Sequence, residues 1–131
     1  MDDVDKTTLG LRAQITLGLR EGYSGSVQEK DEVLELITAL QRRAVATKTY
    51  LPFVIAETVI TYPLNEGRVA REPGLSLTTD QAAAPDVGDE AVWKRLVVFY
   101  AQSLANVFEQ EEVHVTYWPV TGTLVRREQN A

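Results

Sequence analysis

The sequence predicts an α+β two-layer sandwich, an antiparallel sheet with helices on one face. Three observations predict it. Residues 9–19, "LGLRAQITLGL", alternate apolar and polar side chains, the period of a strand with one buried face. Two later segments, around residues 27–47 and 93–108, repeat apolar residues at helical spacing. The order of elements reads β-α-β-β-α-β, followed by a short C-terminal β extension. That order is the ferredoxin-like split βαβ arrangement, with an expected spatial strand order of 4-1-3-2.

Taken in turn, the first strand is expected from Leu9 to Arg20, after a solvated arm at 1–8. The glycines and serines of "EGYSGSVQEK" mark a loop. Ser26 and Glu29 have the spacing of a capping box, so a helix is expected from Val27 to Thr47. Its buried stripe is Val33, Leu36, Ile37, Leu40 and Ala44. Phe53 to Tyr62, rich in β-branched and aromatic residues, is the second strand. Pro63 to Gly74 reads as a loop with a short extended piece at Arg68–Ala70. A short third strand follows, Leu75 to Asp80. Asp86 or Asp89 can cap the second helix, whose stripe runs from Trp93 through Val97, Tyr100 and Leu104 to Phe108. The fourth strand is Glu112 to Trp118, interrupted by Pro119. A turn or bulge at Thr121–Gly122 and a fifth strand in "TLVRRE" complete the chain, with 128–131 expected to fray.

All 131 residues form one expected domain, large enough to bury a core. The 13 Lys and Arg are outnumbered by 19 Asp and Glu, giving a net charge of −6. Such a balance opposes nucleic acid and anionic membrane surfaces as partners, because both are bound chiefly by basic side chains. There are no cysteines, so disulfide, thiolate and cysteine-based metal chemistry are excluded. No apolar run reaches the ~20 residues of a membrane span. The opening "MDDVDKTT" lacks the apolar stretch of a secretory signal, and a cytoplasmic location is expected by default.

A sheet covered on one side leaves its other side to be explained. Arg12, Gln14 and Thr16 of the first strand, Thr78 of the third, and Thr116 and Trp118 of the fourth would share that bare face. The second strand adds apolar groups to it in either register. A mixed patch of this kind calls for a partner: a second copy of the chain, another protein, or a small apolar or anionic ligand.

Candidate chemistry rests on few residues. His114 is the only histidine and titrates in the range useful for proton transfer. Glu57 interrupts the apolar run "FVIAETVITY"; if buried, it needs a cation such as Arg12 or Arg20, or a raised pKa. Arg68 and Arg71, on the loop after the second strand, suit a carboxylate or phosphate. Tyr62 and Trp118 are candidate walls for a ligand. No phosphate loop, catalytic-serine motif or metal-ligand spacing is present, and no cofactor is implied. Two functions are therefore expected. One is a small oligomeric interaction or binding module that uses the bare face or a sheet edge. The alternative is a cofactor-independent enzyme, isomerase or monooxygenase-like, with Glu57 or His114 as base in a pocket between sheet and helices.

Overall fold

The computed structural model describes residues 5–20 and 27–128. Its elements are β1 (Asp5–Gly18), α1 (Lys30–Thr47), β2 (Val54–Pro63), β3 (Val69–Asp80), α2 (Glu90–Val107) and β4 (His114–Val125). The four strands form one antiparallel sheet in the order β2-β3-β1-β4, as the split βαβ pattern requires. Both helices lie over the face that carries Ala13, Ile15 and Leu17 of β1 and Leu75 and Leu77 of β3, all five fully buried. Val33 and Ile37 of α1 and Trp93, Val97, Tyr100 and Leu104 of α2 complete the core. Each such side chain contributes roughly 1.5–3 kcal/mol of burial. The fold is ferredoxin-like α+β.

Several boundaries differ from the sequence expectation, and two prolines explain most of the difference. β3 begins at Val69, not Leu75, and runs straight through Pro73. The Pro73 carbonyl accepts from the Leu19 N–H at 3.0 Å, so this residue turns its backbone toward β1, where that ladder ends. The proline nitrogen has no hydrogen to return to Leu19. The Leu19 carbonyl accepts from the Gln28 N–H instead, and Val27 bridges Arg20. Residues 27 and 28 are thereby held extended, and α1 starts at Lys30 rather than Val27. Glu29 is the residue before the helix and makes no side-chain cap; Ser26 lies outside the described residues.

Pro119 likewise does not interrupt β4. There is no separate fifth strand: β4 pairs with β1 continuously from His114↔Thr16 to Val125↔Asp5. Of the expected arm at 1–8, Asp5–Thr8 belong to the β1 ladder, and residues 1–4 lie outside the described residues. Pro119 faces Leu11, whose N–H points the other way, to Gln81 Oε1 at 3.1 Å. Pro119 therefore directs its own backbone to the outer edge of the sheet, the position a strand proline tolerates. For α2 the expected cap holds: Asp89 accepts from the N–H groups of Ala91 and Val92 at 2.7 and 3.4 Å.

The strands are staggered. β1 pairs with β3 only between Arg12↔Asp80 and Gly18↔Gly74. Beyond the first point, residues 5–11 of β1 and 119–125 of β4 continue as a two-stranded ribbon. Beyond the second, residues 59–63 of β2 and 69–73 of β3 continue as another, closed by a tight turn at Asn65–Gly67. The two ribbons project from diagonally opposite corners, and two strands alone are marginal in water. A side chain closes each inner corner. Gln81 accepts the Leu11 N–H, and Glu72 Oε2 accepts the Arg20 N–H at 3.2 Å.

Candidate functional site

The second of these corners forms a cleft of 390 Å³ on the bare face of the sheet. Gly18 makes its floor, and Gly74 pairs with it in the neighbouring strand. A Cβ at Gly18 would lie 2.9 Å from Glu72 Oε2 and 3.2 Å from Gln110 Oε1. Only a bare backbone lets the carboxylate and the amide cross β1 here. The paired Gly74 is as crowded: a Cβ there would come within 2.8 Å of both the Leu17 carbonyl oxygen and Ile60 Cδ1.

Around this floor stand Thr16, Ile60, Tyr62, Glu72 and His114, with the connection from α2 to β4 supplying Gln110, Glu111 and Glu112. Gln110 is anchored by donating to the Arg20 carbonyl at 2.6 Å. Glu72 is half-buried and spends Oε2 on the Arg20 N–H. His114 is exposed and faces Glu112 at 3.7 Å. Three carboxylates and one aromatic ring thus converge on one cleft. Its chemistry suits a small positively charged molecule, held by Coulomb attraction and by the Tyr62 ring face.

The structure sorts the residues singled out in the sequence. It brings Tyr62 and His114 together at this cleft. Glu57 is not the buried carboxylate its setting implied: its side chain is 73% exposed and pairs with Lys30 at 3.1 Å, not with an arginine of β1. It sits on the helix side of β2, but α1 begins only at Lys30, so the helix covers it with no more than its first residue. With His114 also exposed, neither is a base enclosed between sheet and helices, and that pocket is withdrawn. Arg71 lies on the opposite face from Tyr62, one residue out of register, and Arg68 sits in the turn, donating to the Asn65 carbonyl at 3.4 Å. They form no anion site with Tyr62. Arg12, Gln14, Thr16, Thr78, Thr116 and Trp118 do share the bare face. There Arg12 grips Asp80 with two bonds, Nε to Oδ1 at 2.7 Å and Nη2 to Oδ2 at 3.0 Å, and this contact raises the Arg12 pKa further.

The phage SAM lyases share this fold. One, solved with S-methyl-5'-thioadenosine, superposes with a TM-score of 0.65 at 14% identity, covering 89% of this chain and 90% of its own. A phage SAM lyase in its apo state gives 0.63 at 15% identity over 93% and 94% of the two chains. CutA from Synechococcus elongatus gives 0.49 at 14% identity over 90% and 84%. No family profile matches the sequence. No curated protein matches it either.

Gly18, Gly74, Glu72 and Gln110 were not singled out from the sequence as site residues. Gly18 carried a signal: it occupies a polar-face position of a regular strand where no turn is needed. Glu72 was hidden by Pro73, which made its segment look like loop. Among the described residues, no group of three or more His, Asp or Glu side chains is placed to hold a metal ion. No helix among them is long and apolar enough to cross a membrane.

Proposed function

We propose that the chain is a self-associating binding module. Its bare sheet face packs against copies of itself, and the cleft over Gly18 takes a small cationic molecule. The observation that carries the reading is the bare face itself. Val54, Ala56, Ile60, Tyr62 and Trp118 lie on it among short polar side chains, and among the described residues no layer stands above them. A surface this mixed is the kind that homo-oligomers bury. Sedimentation velocity tests it. The wild type should associate, and Thr78→Arg, at the centre of the face, should return it to monomer. A strict monomer across the accessible concentration range overturns the reading.

A second reading is favoured by the fold shared with the phage SAM lyases: the cleft receives SAM, its S–Cγ bond breaks with the electron pair leaving on sulfur as S-methyl-5'-thioadenosine, and the amino-acid arm's own carboxylate closes on the freed carbon as a lactone. SAM carries a sulfonium, and a carboxylate beside an aromatic ring is a fitting host for such a cation. Glu72 and Tyr62 are the residues assigned to it. Chromatography of a SAM incubation should show S-methyl-5'-thioadenosine forming, and Glu72→Gln should suppress it. If calorimetry shows no binding of either compound, this second reading fails and the first keeps only its interface.

A further inference from the structure

The seam between the two helices is not fully closed. Leu36, Leu40 and Ala44 share one face of α1, at i, i+4 and i+8. The first two are leucines and the third is a single methyl group. Beside Ala44 the seam opens into a pocket of about 250 Å³, walled by Leu40 and Ala44 of α1 and by Leu96, Phe99 and Tyr100 of α2. Phe99 is 54% exposed there, although it shares a helix face with Leu96. A cavity of about 150 Å³ holds a benzene ring, so this one has room for a ring and a short tail. It lies on the opposite side of the sheet from the cleft over Gly18.

The polar groups at this pocket say what the tail must be. Thr47 and Thr49 are already engaged: their hydroxyls lie 2.7 Å apart, and Thr47 donates to the Ala44 carbonyl at 3.2 Å. That carbonyl also accepts the Thr49 N–H at 3.0 Å. Two donors are left over. Arg43 lines the pocket, is exposed, and forms no ion pair among the described residues. Tyr100 is buried, and its hydroxyl finds no hydrogen-bond acceptor there. The sequence on both sides offers no anion to answer Arg43. Residues 36–56 hold Arg42, Arg43 and Lys48 and no acidic residue, and residues 91–108 hold Lys94 and Arg95 and no acidic residue. In a chain of net charge −6, the helix layer around this pocket is basic.

We infer that the pocket between α1 and α2 binds a small carboxylic acid with an apolar body, an arylalkanoate or a short fatty acid. The body lies among Leu40, Ala44, Leu96 and Phe99. The carboxylate pairs with Arg43 at the mouth, where a planar guanidinium can donate two parallel hydrogen bonds. This site depends on neither the self-association reading nor the SAM reading.

The test is an amide-resolved NMR titration of the full chain at neutral pH with hydrocinnamate, a phenyl ring on a short carboxylate arm, and with the uncharged hydrocinnamyl alcohol. Hydrocinnamate should shift the amides of Ala44, Thr49 and Phe99 saturably, with a dissociation constant of roughly millimolar or below, as a ligand of this size allows. The alcohol should bind about tenfold more weakly, because it cannot pair with Arg43. Arg43→Gln, an exposed position, should weaken hydrocinnamate about tenfold and leave the alcohol unchanged. Phe99→Ala, which removes a wall, should weaken both. Equal binding of acid and alcohol to the wild type overturns the inference, as do shifts centred on the Gly18 cleft or no saturable shift at all. So would shifts of these same amides with protein concentration alone, because a second copy would then cover the pocket.

Discussion

The two faces of β1 are built from the same stretch of chain and obey different constraints. On one, Ala13, Ile15 and Leu17 are fully buried beneath the helices. On the other, Arg12, Gln14 and Thr16 remain half-buried, with no layer over them among the described residues. The covered face is selected by packing within the chain, and any side chain of the wrong size is felt there. On the reading proposed above, the bare face is selected by contact with a second copy of the chain. It follows that substitutions on the first should change stability at any protein concentration, and those on the second should change association.

The largest expected effect tests this division directly. Ile15→Ala should cost about 2–5 kcal/mol and lower the melting temperature, while Gln14→Ala, its neighbour on the other face, should leave monomer stability within about 0.5 kcal/mol. Comparable losses from the two in thermal denaturation would erase the distinction.

Next is Gly74→Ala, where the new methyl group meets a carbonyl oxygen that cannot move aside. About 1–3 kcal/mol of destabilisation is expected by denaturant titration. Gly18→Ala meets mainly the end of the Glu72 side chain. It should cost less stability yet disturb the cleft, which the proposed SAM reading expects to appear as weaker binding of that compound by calorimetry. Removing the helix cap with Asp89→Ala should cost about 1 kcal/mol, a measure of how far the covering layer depends on α2's first turn.

The smallest effect concerns pH. Burial raises the Tyr100 and Tyr117 phenols above their usual value near 10.0, and both rings lie on the covered side. The folded state thus holds these protons more tightly than the unfolded chain. Their contribution is intact below pH 10 and is lost as pH rises through the raised values. A melting-temperature profile should bend downward on the alkaline side, and Tyr100→Phe should lessen the bend while keeping the edge-on contact to Phe53 at 5.1 Å. A flat profile would detach these phenols from the covered face.

Much of the fold could be read in the residues, because the signals were periodic. The alternation through Ala13, Ile15 and Leu17 and the Trp93–Phe108 stripe report burial by one dominant neighbour layer, and both elements formed, though β1 begins at Asp5 and leaves Leu9 exposed. The prolines misled. Pro73 and Pro119 look like breaks along the chain, yet each lies where the ladder needs no donor from it, a condition set by the neighbouring strands. The cleft was legible in part. His114 fell on the bare face by simple counting, whereas both faces of the second strand are apolar, so alternation left the side of Tyr62 open. Glu72 reaches the cleft only because β3 passes through Pro73, and Gly18 matters only because Glu72 crosses it. Both facts depend on pairing between segments more than fifty residues apart in sequence.

Pro119 has a consequence for growth without limit. A flat outer strand with every amide free invites strand after strand from other molecules, the route to fibres. Here the twelve-residue rim of β4 lacks one donor near its middle. An incoming strand would have to leave a carbonyl unsatisfied at that point. Pairing of a further strand is thereby disfavoured at this rim.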